Sequence, residues 1–105
     1  MPYYVYILKC ADGSYYTGST NDLSQRVWEH QQGLSLSAYT YSRRPVTLVW
    51  NEEVETYHEA FTHERQIKGW NRAKKEALIR GDWDGIHQIV RDERRRREIK
   101  KNTSS

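Results

Sequence analysis

Apolar and polar positions alternate at the start of the chain. Val5, Ile7 and the tyrosines around them give residues 3–10 a period of two, and residues 15–19 repeat it, which predicts two half-buried strands. Between them stands Ala11-Asp12-Gly13-Ser14, and Asp-Gly between alternating apolar residues signals a hairpin. Register decides which side chains meet. A two-residue Asp12-Gly13 turn would pair Lys9 with Tyr16 and send Tyr6 and Tyr16 to opposite faces. Pairing Ala11 with Tyr15 across a three-residue loop, or inserting a bulge, would instead bring Tyr6, Leu8, Tyr16 and Gly18 to one face.

The period then changes. Leu23, Val27 and Leu34 recur at helical spacing, with Asp22 and Gln25 placed to cap the start and Gly33 to stop a helix of about eleven residues. Arg26 and His30, at i and i+4, share one of its faces. Residues 35–45 are polar and read as a surface loop. A third strand is predicted over residues 46–54, with Val46, Leu48 and Trp50 alternating against Thr47 and Val49. Thr56-Tyr57-His58-Glu59 has the form of a capping box, and its helix carries Ala60, Phe61, Glu64 and Ile67 up to Gly69. A further helix is predicted over residues 72–79, ended by Gly81, and Trp83, Ile86, Ile89 and Val90 are spaced to dock a last one. The reading is a single α+β domain, a small three-stranded antiparallel sheet flanked by helices. It assigns residues 1–82 to the domain, 83–101 to a basic helical extension packed at its start, and 102–105 to a disordered tail.

Composition narrows the function classes. The chain has 105 residues, enough for one modest core, and its four Trp and eight Tyr must fill much of it beside a single Phe. The formal charge of +3 is uneven, because residues 91–105 hold seven Lys or Arg against three acids. Any argument for a nucleic-acid partner therefore rests on local placement and on that tail. One cysteine, Cys10, excludes an internal disulfide and a multi-cysteine zinc site. No apolar run reaches the ~20 residues of a membrane span and no signal peptide is visible, so a cytoplasmic protein without a membrane partner is expected.

Tyr4-Val5-Tyr6 and Tyr16-Thr17-Gly18, taken with Arg26, His30 and a later Glu64 in a helix, resemble the two motifs and accompanying residues of the GIY-YIG nuclease family. The resemblance runs to about Ile79 and is strongest to short, single-domain members. Tyr4, Val5 and Thr17 depart from the motif at framework positions, Ser19 stands where some members have Lys, and no Asn matches their late active-site Asn. The resemblance implies metal-dependent hydrolysis of DNA phosphodiester bonds, structure-selective rather than sequence-specific, in repair or recombination. It also requires the odd-count hairpin connection, since only that brings the two tyrosines together.

On this resemblance Glu64 is the metal ligand. A hard carboxylate suits one Mg²⁺ or Mn²⁺ ion that keeps most of its waters. Tyr6 is the general base or water-positioning group, and Tyr16 lies beside it at the nucleophile or phosphate. A phenol with a pKa of about 10 is a poor base, so Arg26 and the metal are needed to favour phenolate. Arg26 binds the scissile phosphate with its planar fork, and His30 orients a tyrosine or shares a proton. Each residue also has an ordinary reading: Glu64 as a surface partner of Lys68, the tyrosines as a hairpin ladder, Arg26 as solvated, and His30 as structural.

Arg43, Arg44, Lys68, Arg72, Lys74 and Lys75 are the expected phosphate contacts, with Tyr39, Tyr41 and Trp70 available for stacking. The expected partner is DNA, branched, damaged or single-stranded, bound by a monomer whose basic C-terminal helix could hold a protein partner. The rival readings are a non-catalytic nucleic-acid-binding module and a protein-interaction adaptor that retain the fold.

Overall fold

A computed structural model describes residues 2–34, 38–82 and 84–86. Its order is β1 (Tyr3–Lys9), β2 (Tyr15–Thr20), α1 (Leu23–Gln32), a 3-10 turn (Tyr41–Arg43), β3 (Thr47–Val54), α2 (Tyr57–Lys68) and α3 (Arg72–Arg80). The strands form one antiparallel sheet in the order β2-β1-β3, so the α+β expectation holds. The chain divides into two compact units, Met1–Gly69 and a second beginning at Trp70. Within the second unit α3 is capped by Asn71, ends at a left-handed Gly81, and buries Lys74, Ala77 and Leu78. The readings of a last helix through Trp83, Ile89 and Val90, of a basic extension and of a disordered tail lie largely outside the described residues.

β1 is the middle strand, and Val5, Tyr6, Ile7 and Leu8 are wholly buried because both of its faces are covered. On one face Tyr6, Leu8, Cys10 and Val46 form a core cluster, with Tyr16, Leu23, Val27 and Leu48 packed against it. That face carries α1. α2 belongs to the opposite face, as its contacts show: Tyr57 packs edge-on to Tyr3, and His63 Nδ1 lies 3.1 Å from Glu52, which stands opposite Val5.

The hairpin connection has the odd count that the site requires. Cys10 N–H donates to Ser14 O at 2.8 Å, enclosing Ala11, Asp12 and Gly13, and Gly13 takes the positive φ of 84° that such a loop demands at its last position. The pairing itself differs from the expected one. Lys9 stands opposite Tyr15, not Ala11, because the loop closes one pair earlier. Parity is unchanged, so Tyr6 faces Gly18 and Leu8 faces Tyr16.

β3 corrects the predicted alternation. Ile7 pairs with Trp50 but the next residue, Leu8, pairs with Leu48, so a bulge at this step leaves Val49 extra. Leu48 and Trp50 therefore point to opposite faces, and Leu48 joins Val46 in the Tyr6 cluster without Trp50. The helix ends follow the expected caps. Asp22 accepts from Gln25 N, Gly33 closes α1 at φ 69°, and Thr56 accepts from Glu59 N.

Candidate active site

Two elements bring the tyrosines and the first helix together. Tyr6 and Tyr16 project from neighbouring strands to the face that carries α1, their ring centroids 6.3 Å apart. From α1, His30 comes within 5.0 Å of the Tyr16 centroid and places Nε2 3.1 Å from the Tyr6 hydroxyl. Between the rings the backbone must be glycine. A Cβ on Gly18 would stand 2.5 Å from the Tyr6 oxygen and 3.2 Å from the Tyr16 ring, so any side chain there would displace the Tyr6 phenol. The sequence pattern placed Gly18 on this face without revealing that reason.

Arg26 stands one turn before His30. Its positive charge favours the ionised form of Tyr6, while its Nε lies 3.7 Å from Glu29 at the exposed rim. Tyr16, Arg26, Glu29, His30, Leu34 and Thr40 line a cavity of about 260 Å³. Glu64 acts on Tyr6 from α2 and is ion-paired with Lys68 at 3.4 Å, and the Lys68 ammonium lies 5.9 Å from the Tyr16 centroid. Tyr6, Tyr16, Arg26, His30, Glu64 and Lys68 therefore converge on one place.

The electrostatics change the expectation for Tyr6. Burial pushes its pKa above the usual phenol range, and Tyr16 and Glu64 push the same way. Arg26 pulls it down as expected but does not prevail. Tyr6 is thus held as a neutral phenol, its oxygen within hydrogen-bond distance of His30 Nε2. Burial and the Arg26 charge push the His30 pKa down while Glu29 pulls it up, which keeps the imidazole neutral. Its other nitrogen, Nδ1, lies 2.7 Å from Thr40 Oγ1.

The remaining basic residues are not equivalent. Arg43 donates to Tyr39 O at 2.8 Å and to Asp12 Oδ2 at 3.2 Å, and covers the Tyr39 ring at 3.8 Å; Tyr39 itself stacks on Tyr16. Arg44 donates to Tyr41 O and Gln32 O. Both arginines fasten the loop after α1, and Arg44 is exposed. In the second unit Arg72 pairs with Glu76 at 2.8 Å, and burial pushes the Lys75 pKa down. Lys74 is only 8% exposed, with its ammonium 5.5 Å from the centroid of a partly covered Trp70. Lys68 lies against the tyrosine site. Thr40 and the Arg43–Asp12 tether were missed, because nothing in their local sequence marks a contact made across the fold.

Glu64 offers a single hard carboxylate on the Tyr6 side of α2. Among the described residues no group of three His, Cys, Asp or Glu could hold a metal ion. This donor set fits a hydrated Mg²⁺ or Mn²⁺ that takes one protein carboxylate and substrate oxygens, and does not fit a closed zinc site.

The sequence model of the GIY-YIG catalytic domain matches residues 2–77. A UPF0213 protein of Bacillus pumilus is 47% identical over 77 residues, covering 73% of this chain and 78% of the relative. A UPF0213 protein of Staphylococcus aureus is 47% identical over 78 residues, covering 74% and 94%. The solution NMR structure of a UPF0213 protein from Bacillus halodurans aligns at 42% identity and TM-score 0.50 over 75% of this chain and 83% of that one. A solution NMR structure of a protein from E. faecalis aligns at 36% identity and TM-score 0.55 over 77% and 85%.

Proposed function

The chain belongs to the GIY-YIG catalytic domain family, and from that premise we propose that it is a metal-dependent endonuclease hydrolysing DNA phosphodiester bonds. We read it as structure-selective rather than sequence-specific, acting as a cytoplasmic monomer on branched, damaged or single-stranded DNA in repair or recombination. The observation that carries the reading is the hydrogen bond between Tyr6 and His30 beside Arg26, with Glu64 acting on the same phenol. A hairpin ladder of tyrosines needs none of these partners.

In this reading Arg26 binds the scissile phosphate, a role in which one well-aimed donor typically contributes ~3 kcal/mol of transition-state stabilisation. Tyr16 lines the phosphate's approach, and Lys68 exchanges its bond to Glu64 for a phosphate oxygen. Glu64 would hold a divalent ion, which when bound would supply Lewis-acid stabilisation of charge on the phosphate and the leaving oxygen. Tyr6 takes a proton from the attacking water as it passes its own to His30 Nε2, so no free phenolate is required. The water oxygen bonds to phosphorus, the bond to the leaving sugar oxygen breaks, and that oxygen takes a proton from solvent. His30 then releases its proton to solvent.

The test is cleavage of labelled single-stranded, duplex, flapped and branched DNA with Mg²⁺ or Mn²⁺, comparing the native chain with Glu64→Ala and Tyr6→Phe. Product that vanishes in both variants is expected. Survival of cleavage in Glu64→Ala would remove the metal assignment, and binding without cleavage under both metals would favour a recognition module.

A further inference from the structure

We propose that Thr40 is a positioning residue: its hydroxyl holds His30 in the tautomer that carries the proton on Nδ1, leaving Nε2 bare to receive the Tyr6 proton. The catalytic consequence rests on the nuclease reading, whereas the tautomer is a property of the free protein.

The proton assignments follow from the partners. Two hydroxyls flank the ring, and the phenol of Tyr6 is far more acidic than the aliphatic hydroxyl of Thr40, so Tyr6 is the stronger donor and gives its proton to His30 Nε2 at 3.1 Å. A nitrogen that accepts is unprotonated. The neutral ring then has its single proton on Nδ1, where Thr40 Oγ1 at 2.7 Å is the acceptor. Thr40 is 1% exposed, so solvent does not replace that partner.

A second observation is independent of the ring. Thr40 occupies the N-cap position of the Tyr41–Arg43 turn, where a threonine hydroxyl ordinarily accepts from a backbone N–H of the turn. Its side chain makes no capping bond, and the hydroxyl goes to His30 instead. The backbone beneath it is fastened: Arg43 N–H donates to Thr40 O at 3.1 Å, and Ala11 N–H donates to Arg43 O at 2.9 Å. Arg43 also clamps Tyr39 O and Asp12, so the hairpin tip holds the loop that presents the hydroxyl. A hydroxyl in this place orients the imidazole without adding the negative charge that a carboxylate would bring.

The experiment reads the imidazole nitrogens of the ¹⁵N-labelled full chain by ¹H–¹⁵N NMR near neutral pH, in the native protein, Thr40→Val and Thr40→Ser, beside DNA cleavage by each. The native His30 is expected to show a protonated Nδ1 and a bare Nε2, Thr40→Val a population moved toward Nε2–H, and Thr40→Ser the native pattern. With Thr40→Val kcat is expected to fall by ~10- to 100-fold with KM changed less than about twofold, and Thr40→Ser to stay within about threefold of native. A native His30 protonated on Nε2 overturns the proposal, and this holds even where Thr40→Val fails to fold. An unchanged tautomer in Thr40→Val also overturns it, as does a changed tautomer with unchanged kcat. If no variant cleaves DNA, the nuclease reading falls while the spectra still decide the tautomer.

Discussion

At the scale of the residue, two positions separate framework from chemistry. Thr17 stands at the centre of the second motif, 3% exposed, and among the described residues its Oγ1 is buried without a hydrogen-bond partner. Burying an unpaired hydroxyl costs about 1 kcal/mol or more, so Thr17→Val is expected to raise stability by about that amount, read as a higher midpoint of thermal unfolding. His30 makes the opposite kind of prediction. Its folded pKa is depressed, so the unfolded chain binds the proton more readily; its contribution to stability is present above about pH 6.5 and lost as pH falls through the folded value. Unfolding midpoints of the native protein should drop across that window, and His30→Gln should flatten the drop. The acid limb of kcat/KM should likewise lie below about pH 6.5, because protonation removes the acceptor nitrogen.

At the scale of the element, what was legible in the sequence was what is encoded locally. Asp22, Gly33, Thr56, Glu59 and Gly81 bounded their helices correctly because a cap is a contact between near neighbours. The β3 bulge was not legible, since Val49 becomes extra only when β1 chooses its partners. Tyr6, Tyr16, Arg26 and His30 were visible as a motif, yet the acceptor for the Tyr6 proton and the threonine behind it depend on a loop brought in from ten residues beyond His30. α1 illustrates how much rests on local encoding. It buries no residue completely, so its caps matter more than they would in a core helix. Asp22→Ala should cost about 1 kcal/mol, seen in denaturant unfolding, and should lower cleavage further by loosening Arg26 and His30 together.

At the scale of the molecule, charge and chemistry are separated. Along the sequence the first ninety residues sum to −1 and residues 91–105 to +4, so the net positive charge lies outside the stretch that carries the candidate site. Replacing Arg94, Arg95, Arg96 and Arg97 with Gln in the full chain should weaken DNA binding and flatten its salt dependence by ~0.9 in log–log slope for each phosphate no longer neutralised. kcat at saturating DNA should be unchanged, and a fall in kcat would place the tail in the reaction. Among the described residues no helix is long and apolar enough to cross a membrane, which agrees with the absence of such a run in the sequence.

The three residues enclosed by Cys10 and Ser14 act on the site from a distance, as a parity bit does on a word of code. One residue added or removed there would turn Tyr16 and Gly18 away from Tyr6, unless a compensating bulge restored the count. Two residues would leave the faces in agreement. Length variation at this tip should therefore come in even steps, so the least chemically distinctive stretch of the hairpin is also the one whose arithmetic the active site enforces.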